Sequence, residues 1–462
     1  MSVKIDTMVY PNGFHLVHQP AIHNLPLCSI HLYCDVGSSF ETNELRGIAH
    51  FLEHMLFQGT KDRTPHYIFQ EYDRIGTQFN AFTTKRFTCF YVKCHIEHAE
   101  RVIQLFTDMM QNSSLKKSSI RKEEKVIEQE NRSRENNYSH IAKTNFERKV
   151  FKQSSFEQPI DNSHFRKNVP KMSQNTLKKW YEWFYQPSNI VLSIVSNKPF
   201  HFWTQIMFAS KLTKPNFRSK SLQKPVSALS FPNIISHDPY QEQKQTDIII
   251  KQEPNTSNAH LIFGFRTVNQ YSDKKYLFDL LAHILNGKSA RLFTILRQEQ
   301  NLVYNIFCSS EEEEFTGYFC ISTEFDPIHT KKVILLLFEL CKDLVKDGIQ
   351  EEEFHIAKKR LQGAHQIQYE DINTFAKYNG YEHLLFVRDT ENSRHYRKKS
   401  IVPYQEVLET YYEPITLEQI NALIREYFRP HHMVISLISP NPMTLAEMRS
   451  LCKKYRPSMY RK

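Results

Sequence analysis

Gly47-Ile48-Ala49-His50-Phe51-Leu52-Glu53-His54-Met55-Leu56-Phe57 reads as a short helix with one chemical face. Apolar side chains recur through it at three- and four-residue spacing, as in a helix that buries a stripe. His50 and His54 lie four residues apart and project together, close enough for two imidazole nitrogens to share one metal ion. Glu53, three residues after His50, falls on the same side. It stands beside such an ion, where a carboxylate can take a proton from bound water. This inverted HxxEH order is a catalytic zinc motif, although an amphipathic core helix with two histidines would read the same way.

A catalytic zinc site needs a third protein ligand and an open fourth position. A polar helix expected from a Ser118 cap to Val150 carries the run Glu123-Glu124-Lys125-Val126-Ile127-Glu128-Gln129-Glu130. Glu123 and Glu130 are two turns apart and share a face, with Ile127 between them. Without His50 and His54 this would be an ordinary solvated charged face.

Together these residues resemble the pitrilysin/insulinase metallopeptidase family, in the branch of the processing-peptidase β subunits. That family carries HxxEH followed by a glutamate about 75 residues later in an E-x-x-V-I-x-x-E helix, and Glu130 stands 76 residues beyond His54. The resemblance implies one Zn2+ per chain, held by His50, His54 and Glu130. It makes Glu53 the general base, with Glu123 supporting a ligand or the metal. Gly76-Thr77-Gln78-Phe79-Asn80-Ala81-Phe82-Thr83 is similar to the family's G-x-x-x-N-A-x-T strand. Asn80, Ala81 and Phe82 would there dock an extended peptide by strand addition. Val36-Gly37-Ser38-Ser39-Phe40-Glu41 resembles the family's V-G-S-x-x-E turn. Ala290-Arg291-Leu292-Phe293 and the stretch from Arg297 to Tyr304 resemble its S-R-L-F…R-x-x-x-x-L-x-Y, in which Arg297 and Tyr304 would contact substrate and the developing oxyanion.

The rest of the chain fits an α+β protein of two homologous domains, each a mainly antiparallel sheet covered by helices, enclosing a peptide chamber. Alternating strands are expected around the Pro11-Asn12-Gly13 turn, at Cys28–Val36, Phe79–Phe82 and Thr88–Cys94. The same plan recurs from His260 onward. A Pro-, Ser-, Lys- and Gln-rich section at 211–244 reads as a linker between a catalytic domain, 1–210, and a noncatalytic one, 245–462. The second half has no HxxEH; its corresponding helix reads Leu280-Leu281-Ala282-His283-Ile284-Leu285. The short stretch Asn286-Gly287-Lys288-Ser289 is unlike the glycine-rich loop of the noncatalytic processing subunit.

The resemblance implies an endopeptidase acting on unfolded or short peptides, presequence-like segments included, working as a homodimer or a heterodimer with a related subunit. The alternative of another class is a noncatalytic scaffold or core-like subunit of the same fold. A net charge of +10 over 462 residues is spread along the chain without a zinc-finger, basic-zipper or RNP-like pattern, so a nucleic-acid partner is not expected. No run reaches the ~18 apolar residues of a membrane span. The eight cysteines form no CxxC pair and sit mostly in apolar runs, as buried reduced thiols do. A cytoplasmic protein is expected, with a mitochondrial or related organelle as the alternative, which the absence of a visible presequence weakens.

Overall fold

The computed structural model describes residues 4–160, 168–169, 172–215, 243, 245–392 and 401–454, side chains excepted at 388–392 and 454. Most of the expected linker, 216–242 and 244, lies outside the described residues.

The first sheet has the strands β1 (Asp6–Val9), β2 (His15–Pro20), β3 (Leu27–Cys34), β4 (Gln78–Thr83), β5 (Thr88–His95) and β6 (Ile190–Ser196). Its order is β1-β2-β6-β3-β5-β4, antiparallel except for the β2–β6 pair. Between and after these strands run α1 (Ile48–Leu56), α2 (Pro65–Arg74), α3 (Ala99–Asn112), α4 (Lys117–Glu135), α5 (Tyr138–Val150), α6 (Gln174–Phe184) and α7 (Phe200–Ala209). The second sheet has β7 (Asp247–Gln252), β8 (Ala259–Thr267), β9 (Val303–Glu312), β10 (Gly317–Phe325) and β11 (Met433–Ser439). Its order, β7-β11-β8-β10-β9, repeats β2-β6-β3-β5-β4 strand for strand, including the one parallel pair. Between and after these strands run α8 (Lys274–Leu285), α9 (Thr330–Lys346), α10 (Glu351–Ile367), α11 (Ile372–Asn392), α12 (Leu417–Tyr427) and α13 (Leu445–Lys454).

The two compact units are discontinuous in sequence. One comprises 1–132, 158–236 and 367–406; the other comprises 133–157, 237–366 and 407–462. The central strands explain this. β6, β8 and β11 are buried at every residue, as expected of strands with both faces covered. One face of the first sheet is filled by its own helices, with Leu32, Phe90 and Leu192 among the residues of that core. On the other face Tyr33, Cys89 and Val191 pack with Leu384 of α11, and Val195 packs with Ile372, Phe375 and Ala376 of the same helix. In the second unit α5 has the matching place: Ala142, Phe146 and Val150 pack on Ile262, Tyr318, Val434 and Ile438. A contiguous division at 210 and 245 would put α5 with the first sheet and α11 with the second; the packing assigns each to the other.

The expected single helix from Ser118 to Val150 is two helices. It breaks after Glu135, and Asn137 restarts the chain in extended conformation, its Oδ1 accepting the His140 N–H at 3.0 Å. That side-chain acceptor replaces a carbonyl lost at the break.

Gly380 of α11 faces the sheet so closely that a methyl there would stand 2.8 Å from Tyr33 Cδ2 and 2.9 Å from Ser193 Cβ. Tyr33 is fully buried and cannot yield. Gly380→Ala is expected to lose about 1–2 kcal/mol, overpacking exceeding the ~1 kcal/mol that alanine gains in a helix. Gly363→Ala in α10 meets nothing within 4 Å and should gain up to ~1 kcal/mol. Urea midpoints at constant slope measure both, and equal shifts would contradict the packing argument.

Candidate metal centre

α1 has only nine residues, too few for a stable isolated helix, so tertiary contacts must fix it. Ile48, Phe51, Leu52, Met55 and Leu56 are fully buried in the first unit's core. Its N-terminus is held by Glu41, whose Oε2 accepts the Gly47 N–H at 2.7 Å and whose Oε1 accepts the Ala49 N–H at 2.9 Å. Burial pushes the Glu41 carboxyl up to about 8, although the Gly47 and Ala49 amides and the Arg46 charge pull it the other way. Gly47 makes the turn into the helix at φ 91°, a left-handed conformation that glycine adopts without strain. The segment carrying Glu41 is itself pinned to the β4–β5 turn: Ser39 N donates to Lys85 O at 2.8 Å, and a Cβ on Gly37 would meet the same oxygen at 2.6 Å.

With α1 fixed, His50 and Glu53 are buried and His54 partly so. α4 brings up its own face, with Ile120 and Ile127 in the core and Glu123 buried beside them. His50 Nε2 and His54 Nε2 stand 3.2 Å apart, and Glu130 Oε2 is 3.7 Å from each. Tetrahedral ligands bonded at ~2.0–2.2 Å sit about 3.3–3.6 Å from one another, so this triangle fits a zinc-sized ion. Two histidines and one carboxylate are also the donor chemistry zinc takes in catalytic sites. It is the one such convergence among the described residues. Glu130 keeps 37 % of its side-chain surface, which leaves the donors reachable from solvent.

Glu123 does not join the triangle. Its Oε2 lies 3.1 Å from His54 Nδ1. A carboxylate there accepts the Nδ1 proton and turns the Nε2 lone pair toward the other donors. Burial alone would lower the His54 pKa, but Glu123, Glu130 and Glu53 outweigh it and the net direction is upward. Glu53 receives the Thr83 hydroxyl on Oε2 at 2.5 Å, so the end of β4 touches the carboxylate beside the donors.

β4 is the terminal strand of its sheet and pairs only with β5 among the described strands. Asn80 is exposed, with Ala81 and Phe82 half-buried. Asn80 Oδ1 accepts the Ala81 N–H at 2.8 Å, so the strand covers one of its own edge donors. Arg297 and Tyr304 lie in the second unit. Arg297 donates to Asn301 Oδ1 at 3.1 Å, and Tyr304 is 61 % exposed on β9, the terminal strand there. Arg291 of the neighbouring motif is tied to Glu353 and to Gly348 O, a structural role. The contacts of Glu41 and Thr83 were not foreseen. Their signals were present in the V-G-S-x-x-E turn and in the final Thr of the G-x-x-x-N-A-x-T strand.

The family model for insulinase (peptidase family M16) matches residues 17–163, and that for the peptidase M16 inactive domain matches 171–361. An uncharacterized zinc protease of Bacillus subtilis is 26 % identical over 93 % of this chain and 97 % of its own length. Another, of Rickettsia bellii, is 29 % identical over 79 % of this chain and 84 % of its own. A protease of Helicobacter pylori shares the fold at TM-score 0.79 and 18 % identity, covering 95 % of this chain and all of that one. The periplasmic protease PqqL of Escherichia coli does so at TM-score 0.75 and 15 % identity, covering 98 % of this chain and 50 % of that one. No helix among the described residues is long and apolar enough to cross a membrane. Family models match both halves of the chain, and its two sheet-and-helix units are shared with solved proteases: this chain belongs to the insulinase (M16) family of peptidases.

Proposed function

We propose that this chain is a zinc-dependent endopeptidase that hydrolyses unfolded or short peptides, with one Zn2+ per chain held by His50, His54 and Glu130. The observation that carries the reading is the donor triangle of 3.2 and 3.7 Å edges with Glu53 beside it. Zinc bound there would polarise the scissile carbonyl and bring the pKa of water toward neutrality. Glu53 takes the proton of the attacking water at Oε1 and returns it to the leaving amine. Glu123 holds His54 in the tautomer whose Nε2 is a donor to metal. The unpaired edge of β4, at Asn80, Ala81 and Phe82, receives the substrate backbone as an added strand, which selects an extended chain over a folded one. Charge stabilisation at the scissile carbonyl is assigned to Arg297 and Tyr304 on the family pattern alone.

The working form proposed is a pair, this chain with a second copy or a related subunit. The support is that PqqL is about twice the length matched here and that its first half by itself is covered over 98 %. Eight free thiols, seven of them buried, support a reducing compartment such as the cytoplasm.

Metal analysis and cleavage of a quenched fluorescent peptide library test this reading. The native chain should carry about one zinc. Glu53→Gln should keep the zinc and lose about 10²- to 10⁴-fold in kcat, the contribution of a general base. Protein prepared without chelator and free of zinc would sink the catalytic reading in favour of a scaffold. Glu123→Ala should weaken zinc binding about 10- to 100-fold in competition with a chelator. An unchanged affinity would show that Glu123 does not hold the ligand.

A further inference from the structure

Thr83 is not among the metal donors, and its side chain meets the proposed base. It closes β4, the strand whose free edge is assigned to substrate, and its hydroxyl donates to Glu53 Oε2 at 2.5 Å. The direction of that donation is fixed by the carboxylate, which when ionised can only accept. Thr88, paired with Thr83 across the β4–β5 ladder, donates its own hydroxyl to Val36 O at 2.9 Å and lies 3.4 Å from Thr83 Oγ1. Thr88 Oγ1 is thus left only as a longer alternative acceptor, and the Thr83 proton goes to the carboxylate at 2.5 Å rather than to the hydroxyl at 3.4 Å. A carboxylate oxygen that already accepts a hydroxyl proton is a poor place for a second one. The attacking water's proton is thereby steered to Oε1.

We propose that Thr83 is a positioning residue for Glu53: it orients the base from the docking strand and selects the oxygen that takes the proton. The inference rests on the peptidase reading above and deepens it, because the strand that binds the peptide backbone also sets the angle of the base. Loss of the hydroxyl leaves the donor triangle, the β4–β5 ladder and the strand edge in place. It removes the hydroxyl's hold on Glu53 Oε2, so the deficit belongs to the chemical step.

The full chain carrying Thr83→Val, Thr83→Ser, Glu53→Gln or the Glu53→Gln/Thr83→Val pair is compared with the native chain. The substrate is the best-cleaved member of the quenched fluorescent peptide library. Valine keeps the branched shape and strand preference of threonine. For Thr83→Val, kcat should fall about 10- to 100-fold, the kinetic equivalent of one hydrogen bond to a charged group. KM, zinc content and thermal midpoint should stay at native values. Thr83→Ser, which restores the hydroxyl, should recover kcat to within about threefold. In the Glu53→Gln background the valine should have little further effect, since residues acting through one another are not additive. A native kcat in Thr83→Val overturns the inference while leaving the peptidase reading intact. So does a serine variant as slow as the valine one, or a loss confined to KM or to zinc. A native chain that binds zinc and cleaves no member of the library, alone or with a related subunit added, overturns the peptidase reading and this inference with it.

Discussion

The structure depends on the burial of both faces of its central strands. β3, β6, β8 and β11 are buried along nearly their whole length, and each sheet's own helices fill one side only. The second side of the first sheet is closed by α11, and that of the second sheet by α5. The two helices occupy equivalent places in the repeated chain order, so the exchange is reciprocal. Neither half of the sequence carries a complete unit: without α11 the first sheet would expose Val17, Tyr33, Cys89 and Val191 together. Burying a side chain of that size is worth about 1.5–3 kcal/mol, so an uncovered face would cost a large part of a domain's net stability.

That rigid sheet is the reference for a site with little tolerance. α1 is short, and its orientation comes from its buried stripe and from the two amides that Glu41 accepts. Glu41 is held in turn because Gly37 lets the preceding loop sit on the carbonyl of Lys85. The same β4–β5 turn ends the strand that carries Thr83. The acceptor at the start of α1, the free strand edge and the hydroxyl on Glu53 therefore refer to one hairpin. Donor atoms converge to within a few tenths of an ångström of tetrahedral spacing although they come from α1 and from α4.

The first unit was legible where chemistry and periodicity coincide. His50, Glu53 and His54 declare their face through helical spacing, and Glu123 and Glu130 declare theirs through the two-turn interval around Ile127. The matching halves were legible from the recurrence of strand and helix order. α11 escaped because its buried face is not apolar throughout. Asn379, Glu382 and His383 are among its buried residues, Asn379 donating to Gln19 Oε1 and His383 meeting His15. Such a helix reads as a polar surface segment until its partners are known. The break at Asn137 was hidden for the opposite reason: polar residues run unbroken from Glu128 to Asn137, and no apolar stripe shifts phase to mark where one helix ends. Glu41 and Thr83 could be singled out as motif positions, but an N-cap acceptor across a loop and a hydroxyl on a carboxylate are relations between segments, which spacing along one segment does not encode.

The repeat separates what the fold supplies from what the chemistry adds. β9 occupies in the second sheet the terminal place that β4 has in the first, and α8 packs on β9 as α1 packs on β4. A helix against a free strand edge thus arises twice. In the second unit the helix carries His283 alone where the first carries His50, Glu53 and His54, and its edge strand exposes Tyr304 and Phe307. A docking geometry shared by both units cannot by itself distinguish a peptidase from a scaffold, and neither can a fold shared at 15–18 % identity. The distinction rests on a few side chains: a triangle of donors sized for one ion, a carboxylate beside it, and the hydroxyl that donates to that carboxylate. These are the groups whose removal leaves both sheets standing, so their effects on chemistry can be measured apart from their effects on folding.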